Sequence, residues 1–356
     1  MTAIIGLTGD VMCHAGFVVQ EAEGTSFSDH FSPELTALCQ SHDELWGNLE
    51  GPVLPVAEGM AVWEQVRKLR RQWPKLFFVQ NYLPQIHRLG YRVLGVANNH
   101  AFDFETSEDT LVTVETLRRH GFVAAGCDFT PVVRQVNDVS FAIFATTNFL
   151  NPPYVRGPVA LVTEKTVDTL CAQIERWRRE VDYVTVMTHW GWDYVQSPTA
   201  KVRELAGRLA EAGAKIIYGN HPHILWPIDQ PAKDRIVIYS LGNFSQVFGA
   251  SPKHPKYHIF RQALHSGVLT LSITRQCIIP VFQRTFAWQT FEAWLTDVPS
   301  RKSFWFWTDE DVGRWLSYKG TMPNRLRSVI SPLGRPNVGS LTTRDVASVL
   351  GHSEGI

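Results

Sequence analysis

No two cysteines in this 356-residue chain are spaced as CxxC. The five present (Cys13, Cys39, Cys127, Cys171, Cys277) are odd in number and scattered. That excludes a zinc knuckle and a disulfide framework, and predicts reduced, mostly buried thiols. Net charge is also missing: 34 Lys and Arg balance 34 Asp and Glu. This argues against nucleic-acid binding by bulk electrostatics, so no nucleic-acid partner is expected. The cluster Arg67, Lys68, Arg70 and Arg71 is either a local anion patch or one solvated helix face. No uncharged stretch reaches transmembrane length. The opening MTAIIGLTGDVMCH has no basic segment and too short an apolar run for a signal peptide, which predicts a cytoplasmic protein without a membrane segment. Internal repeats and low-complexity runs are lacking too. What remains is a chain 44% hydrophobic and 19% charged, the composition of a globular protein.

Strand and helix patterns alternate along it, the mark of an α/β fold. Strands are predicted at Ala3–Leu7, Asp43–Leu49, Val93–Ala97, Phe141–Thr146, Tyr183–Thr188, Ile216–Tyr218 and Ile236–Ser240. Helices are predicted at Pro33–Gln40, Gln80–Leu89, Ser107–His120, Val167–Glu180 and Ala200–Ala212, three of them closed by Gly90, Gly121 and Gly213. A late hairpin is expected from His265–Thr274 and Cys277–Phe282. After about Phe286 the character changes: Trp288, Trp294, Trp305, Trp307 and Trp315 crowd a stretch without clean alternation. The chain therefore divides into a main domain, 1–285, and a Trp-rich C-terminal extension, 286–356. The extension either packs its aromatics on the main domain or forms a lid or polymer-contacting surface.

The candidate chemical residues share one placement. Asp10, Glu50, Asn99 with His100, His189, and His221 with His223 each follow an apolar strand. Ligands of α/β proteins bind at the carboxyl ends of strands. Gly219-Asn220-His221-Pro222-His223 sets two imidazoles one residue apart around a Pro that fixes the local backbone, an arrangement suited to a pair of metal ions. Asp10 offers a hard anionic oxygen to a divalent cation, or simply starts a turn. His14, four residues on, is a ligand, a substrate contact or an ordinary loop histidine. Glu50 sits on a tight turn where a bridging carboxylate would be needed. In Asn98-Asn99-His100-Ala101-Phe102-Asp103, the Asn99 oxygen can ligate a metal and His100 can donate a proton to a leaving oxygen. Asp103 either fixes the His100 ring or caps a helix. Trp190 and Trp192 follow His189 and are expected to flank the site, and Asn243, after the strand at Ile236–Ser240, is a candidate substrate contact.

The motifs GDVM at 9–12, NLEGP at 48–52, ANNHAFD at 97–103, HWG at 189–191, GNHPHILWPI at 219–228 and YSLGNF at 239–244 occur in an order that resembles one family. It is the poly-gamma-glutamate capsule biosynthesis (CapA-type) branch of the calcineurin-like metallophosphoesterases, and the resemblance covers about residues 3–275. It implies a four-layer α/β/β/α sandwich with two divalent ions (Mn, Zn, Fe or Co) at the strand ends. By motif, Asp10 and His223 would hold the first ion, and Asn99, His189 and His221 the second. Glu50 would bridge them where most relatives use Asp, and His100 would act on the leaving group. Met12 stands where the broader superfamily has a His, so the first ion lacks that imidazole unless His14 substitutes. The implied activity is hydrolysis of a phosphoester by a metal-bound hydroxide. The alternatives are amide hydrolysis on a glutamyl substrate and a non-catalytic role in capsule biosynthesis. The implied substrate is a small molecule or polymer carrying phosphate or glutamyl groups.

Overall fold

The computed structural model describes residues 1–12, 31–54, 76–152, 154–155, 157–245, 265–289 and 304–308, the last five and 286–289 by backbone alone. His14, Cys13, the 67–71 cluster and most of the Trp-rich tail lie outside the described residues. In chain order the elements are β1 (Ala3–Thr8), β2 (Val11–Met12), α1 (Pro33–Gln40), β3 (Glu44–Glu50), β4 (Val53–Leu54), β5 (Phe78–Val79), α2 (Leu83–Arg88), β6 (Tyr91–Gly95), α3 (Asp109–Arg119) and β7 (Val123–Ala125). There follow β8 (Val132–Val136), β9 (Val139–Thr147), α4 (Val167–Trp177), β10 (Tyr183–His189), α5 (Ala200–Ala212), β11 (Ile216–Asn220), β12 (Ile228–Ala232), β13 (Arg235–Ile238), β14 (His265–Ile273), β15 (Ile278–Gln289) and β16 (Phe304–Thr308).

The fold is mixed α/β and is built on two large sheets. One runs β16-β15-β14-β1-β3-β6-β7, with β2 added beside β3; the other runs β12-β13-β11-β10-β9-β8. The central strands β1, β3, β6 and β7 are parallel, as are β9, β10, β11 and β13. Parallel strands covered on both faces carry apolar residues at successive positions. Leu45 and Trp46 in β3, and Ile216 and Ile217 in β11, are such pairs, each fully buried.

Alternate residues then face different cores. Ile5, Trp46 and Val93 of the first sheet join Phe141, Tyr183, Ile216 and Ile238 of the second in one shared cluster. Leu45, Leu49 and Leu94 pack instead with Leu35 of α1, Ile86 of α2 and Leu117 of α3. On the other side Phe144, Val186 and Ile217 pack with Leu170 and Ile174 of α4 and Val202, Ala206 and Leu209 of α5. The two sheets thus share a core, and each has a second core against helices.

Local signals set most boundaries. Ser32 caps α1, its side chain accepting the Leu35 N–H, and Pro33 starts the helix. Thr199 caps α5, and Gly213 ends it at φ +119. The helix expected over Gln80–Leu89 begins instead as a 3-10 turn at Gln80–Tyr82. Pro84 has no N–H to give the Gln80 carbonyl, which takes the Leu83 N–H in its place. Among the described cysteines all four are free, as expected, but Cys39 alone is buried. The thiols of Cys127, Cys171 and Cys277 are half-buried.

Candidate metal centre

The carboxyl ends of the two sets of parallel strands meet at one place. Glu50 ends β3, His189 ends β10, and His221 follows β11 directly. Asp10 is pinned by the 241–245 loop: its N–H donates to Gly242 O at 2.9 Å, and its carbonyl accepts from Phe244 and Ser245. A Cβ on Gly9 would lie 2.1 Å from Gly242 O, so only glycine lets that loop approach.

The side chains form a connected set. Asn48 Nδ2 donates to Asp10 Oδ1 at 2.8 Å and lies 3.3 Å from His189 Nδ1. His189 Nε2 is 2.7 Å from Asn99 Oδ1. Asn99 Nδ2 in turn donates to Asn151 Oδ1 at 3.1 Å, which turns the Asn99 oxygen toward His189. His100 Nδ1 lies 2.7 Å from Asp103 Oδ2, leaving Nε2 3.7 Å from Glu50. Asp103 thus faces the ring, while the following helix starts later, with Glu108 at its cap. The His221 N–H donates to Asp10 Oδ2 at 3.0 Å, and His221 Nε2 lies 2.9 Å from Asp193 Oδ1. His223 Nδ1 is 2.8 Å from Asn243 Oδ1 and 3.6 Å from Asp10 Oδ2.

Two features of the strand-end peptide store strain. His221 has φ +98 and His223 φ +58, in the region that favours glycine. Such positions cost about 1–3 kcal/mol each and persist where the surroundings over-determine them. Here the Asp10, Asp193 and Asn243 contacts do so.

Burial dominates the electrostatics. It pushes the Glu50 carboxyl well above its ordinary value, helped by the fields of Asp10, Asp193 and Asp103. It raises Asp10 as well, against the opposing pull of His223 and the hydrogen bonds from Asn48 and His221. His189 is held well below the usual imidazole range by burial, then by His221, His223 and His100. Burial likewise lowers His223, against Asp10 and Asp193. For Asp193 burial raises the pKa, but the His221 hydrogen bond and the neighbouring imidazoles outweigh it and bring the carboxyl to about 2.

The donor set fits divalent cations. Glu50, His189 and His221 place ligand atoms within 4.8 Å of one another, and so do Asp10, Glu50 and His223, so Glu50 is common to both groups. Glu50 is fully buried, yet neither carboxylate oxygen has a hydrogen-bond partner among the described residues. The buried Nδ1 of His221 is also without one. A buried carboxylate without a hydrogen bond is costly, and a cation would satisfy it. Carboxylate oxygens, an amide oxygen and neutral imidazoles suit Mn, Zn, Fe or Co alike.

The structure brings Asp10, Glu50, Asn99, His100, Asp103, His189, His221 and His223 together. Asn243 is there too, but 99% buried behind His223 rather than at an open surface. Trp190, expected to flank the site, belongs to the helix-side core, where its Nε1 donates to Tyr239 O at 2.9 Å. Trp192 is exposed. Met12 is buried, its N–H and carbonyl both bonded to the Ser245 hydroxyl. Three participants escaped the sequence reading. Asn48 lies inside a quoted motif, Asp193 two residues beyond one, and Asn151 in a loop with no signal of its own.

Residues 4–248 match the family model described as bacterial capsule synthesis protein PGA_cap. The chain belongs to this family. It is 30% identical over 250 residues to capsule biosynthesis protein CapA of Bacillus anthracis, covering 67% of this chain and 58% of that one. To PGA biosynthesis protein CapA of Bacillus subtilis (strain 168) it is 28% identical over 250 residues, 66% of this chain and 61% of the relative. The chain spans about three fifths of the length of these curated relatives. Among its described residues no helix is long and apolar enough to cross a membrane.

Proposed function

We propose that this member of the capsule synthesis family is a metal-dependent hydrolase that takes two divalent ions and cleaves a phosphoester. The observation that carries this reading is Glu50: a buried, unbonded carboxylate shared by two groups of potential ligands. Asp10 and His223 would hold one ion, Asn99, His189 and His221 the other, with Glu50 between them. Bound there, the ions would supply Lewis acidity and an activated water, the chemistry that phosphoester cleavage at neutral pH requires. Asp103 fixes the His100 ring through Nδ1 and turns Nε2 toward Glu50, so that the imidazolium form, its Nδ1–H held by Asp103, would hand its Nε2 proton to a leaving oxygen. His14, outside the described residues, is proposed as a substrate contact from its place four residues after Asp10, whereas Asn243 acts by holding His223.

The two facing sheets with helix-backed outer cores support a four-layer α/β/β/α sandwich of the metallophosphoesterase type. The chain from 286 onward is assigned to an extension on that domain, and the β15–β16 pairing of Thr285–Gln289 with Phe304–Thr308 supports its attachment there. The names of the relatives favour a second substrate class, an amide-linked glutamyl polymer. His100 Nε2 would then protonate an amine leaving group.

The test is metal content by mass spectrometry on untagged protein, wild type against His221→Ala, followed by phosphomonoesters, phosphodiesters and glutamyl amides as substrates. About two equivalents in wild type, reduced in the variant, with turnover of a phosphoester support the main reading. Turnover of the amides alone moves the substrate to the polymer. Metal without any turnover supports a non-catalytic role in capsule biosynthesis, and no metal after incubation with Mn and Zn overturns the hydrolase.

A further inference from the structure

The segment after β10 is laced to the segment after β11. Trp190 N–H donates to Asn220 O at 3.1 Å, Tyr194 N–H to Pro222 O at 3.0 Å, and the Trp226 indole N–H to Val195 O at 2.6 Å. Gly191 makes the turn at φ +90, where a Cβ would stand 2.7 Å from the Trp226 ring. The lacing suspends Asp193 over both imidazoles, its Oδ1 2.9 Å from His221 Nε2 and 3.8 Å from His223 Nε2. The Asp193 side chain is 54% exposed, so burial does not force this contact.

A neutral imidazole has one N–H and one lone pair, and the partner of one nitrogen decides the state of the other. We propose that Asp193 is a positioning residue: by accepting the Nε2–H of His221, it fixes the tautomer whose Nδ1 lone pair is the free donor for the Glu50–His189–His221 group. The inference deepens the metal reading above and rests on it. Asp193, His221 and His223 also lie close enough to hold an ion themselves. Ligation through His221 Nε2 would put the proton on Nδ1, which is buried and has no acceptor among the described residues. The positioning role leaves no such orphan donor.

The test uses the full chain with Asp193→Ala, Asp193→Asn and Asp193→Glu. Nitrogen-15 NMR on metal-stripped protein reads the His221 tautomer, and calorimetric titration with Mn²⁺ reads affinity. Wild type is expected in the Nε2–H form. Asp193→Ala, or Asp193→Asn should the first fail to fold, mixes the tautomers and weakens one of two binding events about 10–100-fold. Asp193→Glu recovers both to within a few-fold. An unchanged tautomer and affinity in Asp193→Ala overturn the inference. So does loss of a whole equivalent that Asp193→Glu cannot restore, which would make Asp193 a ligand. Wild type that binds no Mn²⁺ overturns the metal reading itself, and the inference with it.

Discussion

Replacing Glu50 by Gln should make the metal-free protein more stable and the metal-loaded protein less so. Burial raises the Glu50 carboxyl well above 4.5 in the folded state. Between 4.5 and that raised value the folded chain binds more protons than the unfolded chain, so stability falls as pH rises through the window. Each pH unit of that window costs about 1.4 kcal/mol. At pH 7 the penalty is capped at about 3 kcal/mol, because a carboxyl raised past pH 7 takes up a proton instead. At pH 5 the cap falls below about 1 kcal/mol by the same slope. Gln keeps the shape and removes the charge. In EDTA at pH 7, Glu50→Gln should gain about 1–3 kcal/mol, a rise in Tm of about 1–4 °C for a chain of this size. Most of that gain should vanish at pH 5. Added Mn²⁺ at about 100 times its Kd should stabilise wild type by about 2.7 kcal/mol for each ion bound and move the variant far less. Differential scanning calorimetry of both proteins under these three conditions checks it. A metal-free variant no more stable than wild type at pH 7 would refute the claim that this carboxylate is held at a cost.

Two glycines should respond in opposite directions to alanine. A Cβ on Gly219 would stand 2.1 Å from Tyr239 O and 2.3 Å from the Trp190 indole nitrogen, so Gly219→Ala should cost about 1–3 kcal/mol or more. Gly207, exposed inside α5 with nothing within 4 Å of its added Cβ, should gain about 0.5–1 kcal/mol as Ala. Urea titration of both variants decides, and like signs would defeat the packing argument. Ser32→Ala removes the cap on α1 and should cost about 1 kcal/mol by thermal melting, with no change in metal content. His42 is lowered below 6.5 by burial, against hydrogen bonds to the Cys39 and Leu38 carbonyls. The unfolded chain therefore binds the extra proton first, and stability is lost as pH falls below 6.5, by at most about 1.4 kcal/mol per pH unit. His42→Gln should flatten that part of the stability–pH curve, and parallel curves would contradict it.

The helices at Pro33–Gln40 and Ala200–Ala212 were legible residue for residue, because caps, prolines and terminal glycines act within one turn of the chain. The long buried strands were legible from their apolar runs, and the motif order from spacing alone. Short edge strands were not: β8 fully buries Val136 alone, and β12 is exposed beyond Ile228 and carries Pro231, so neither bears an apolar run. For the candidate centre, the sequence determined which residues stand at strand ends, since a strand that stops must offer its next side chain to whatever lies there. It could not determine partners. Asp10 and His221 are 211 positions apart, and only the closing of two sheets on a common core puts a carboxylate under that peptide N–H. The sharing of Glu50 between two ligand groups, the burial of Asn243 behind His223 and the reach of Asp193 over two imidazoles are facts of distance in three dimensions. Tertiary structure decided them, because periodicity and spacing fix where a side chain leaves the backbone but not what the rest of the chain brings to meet it.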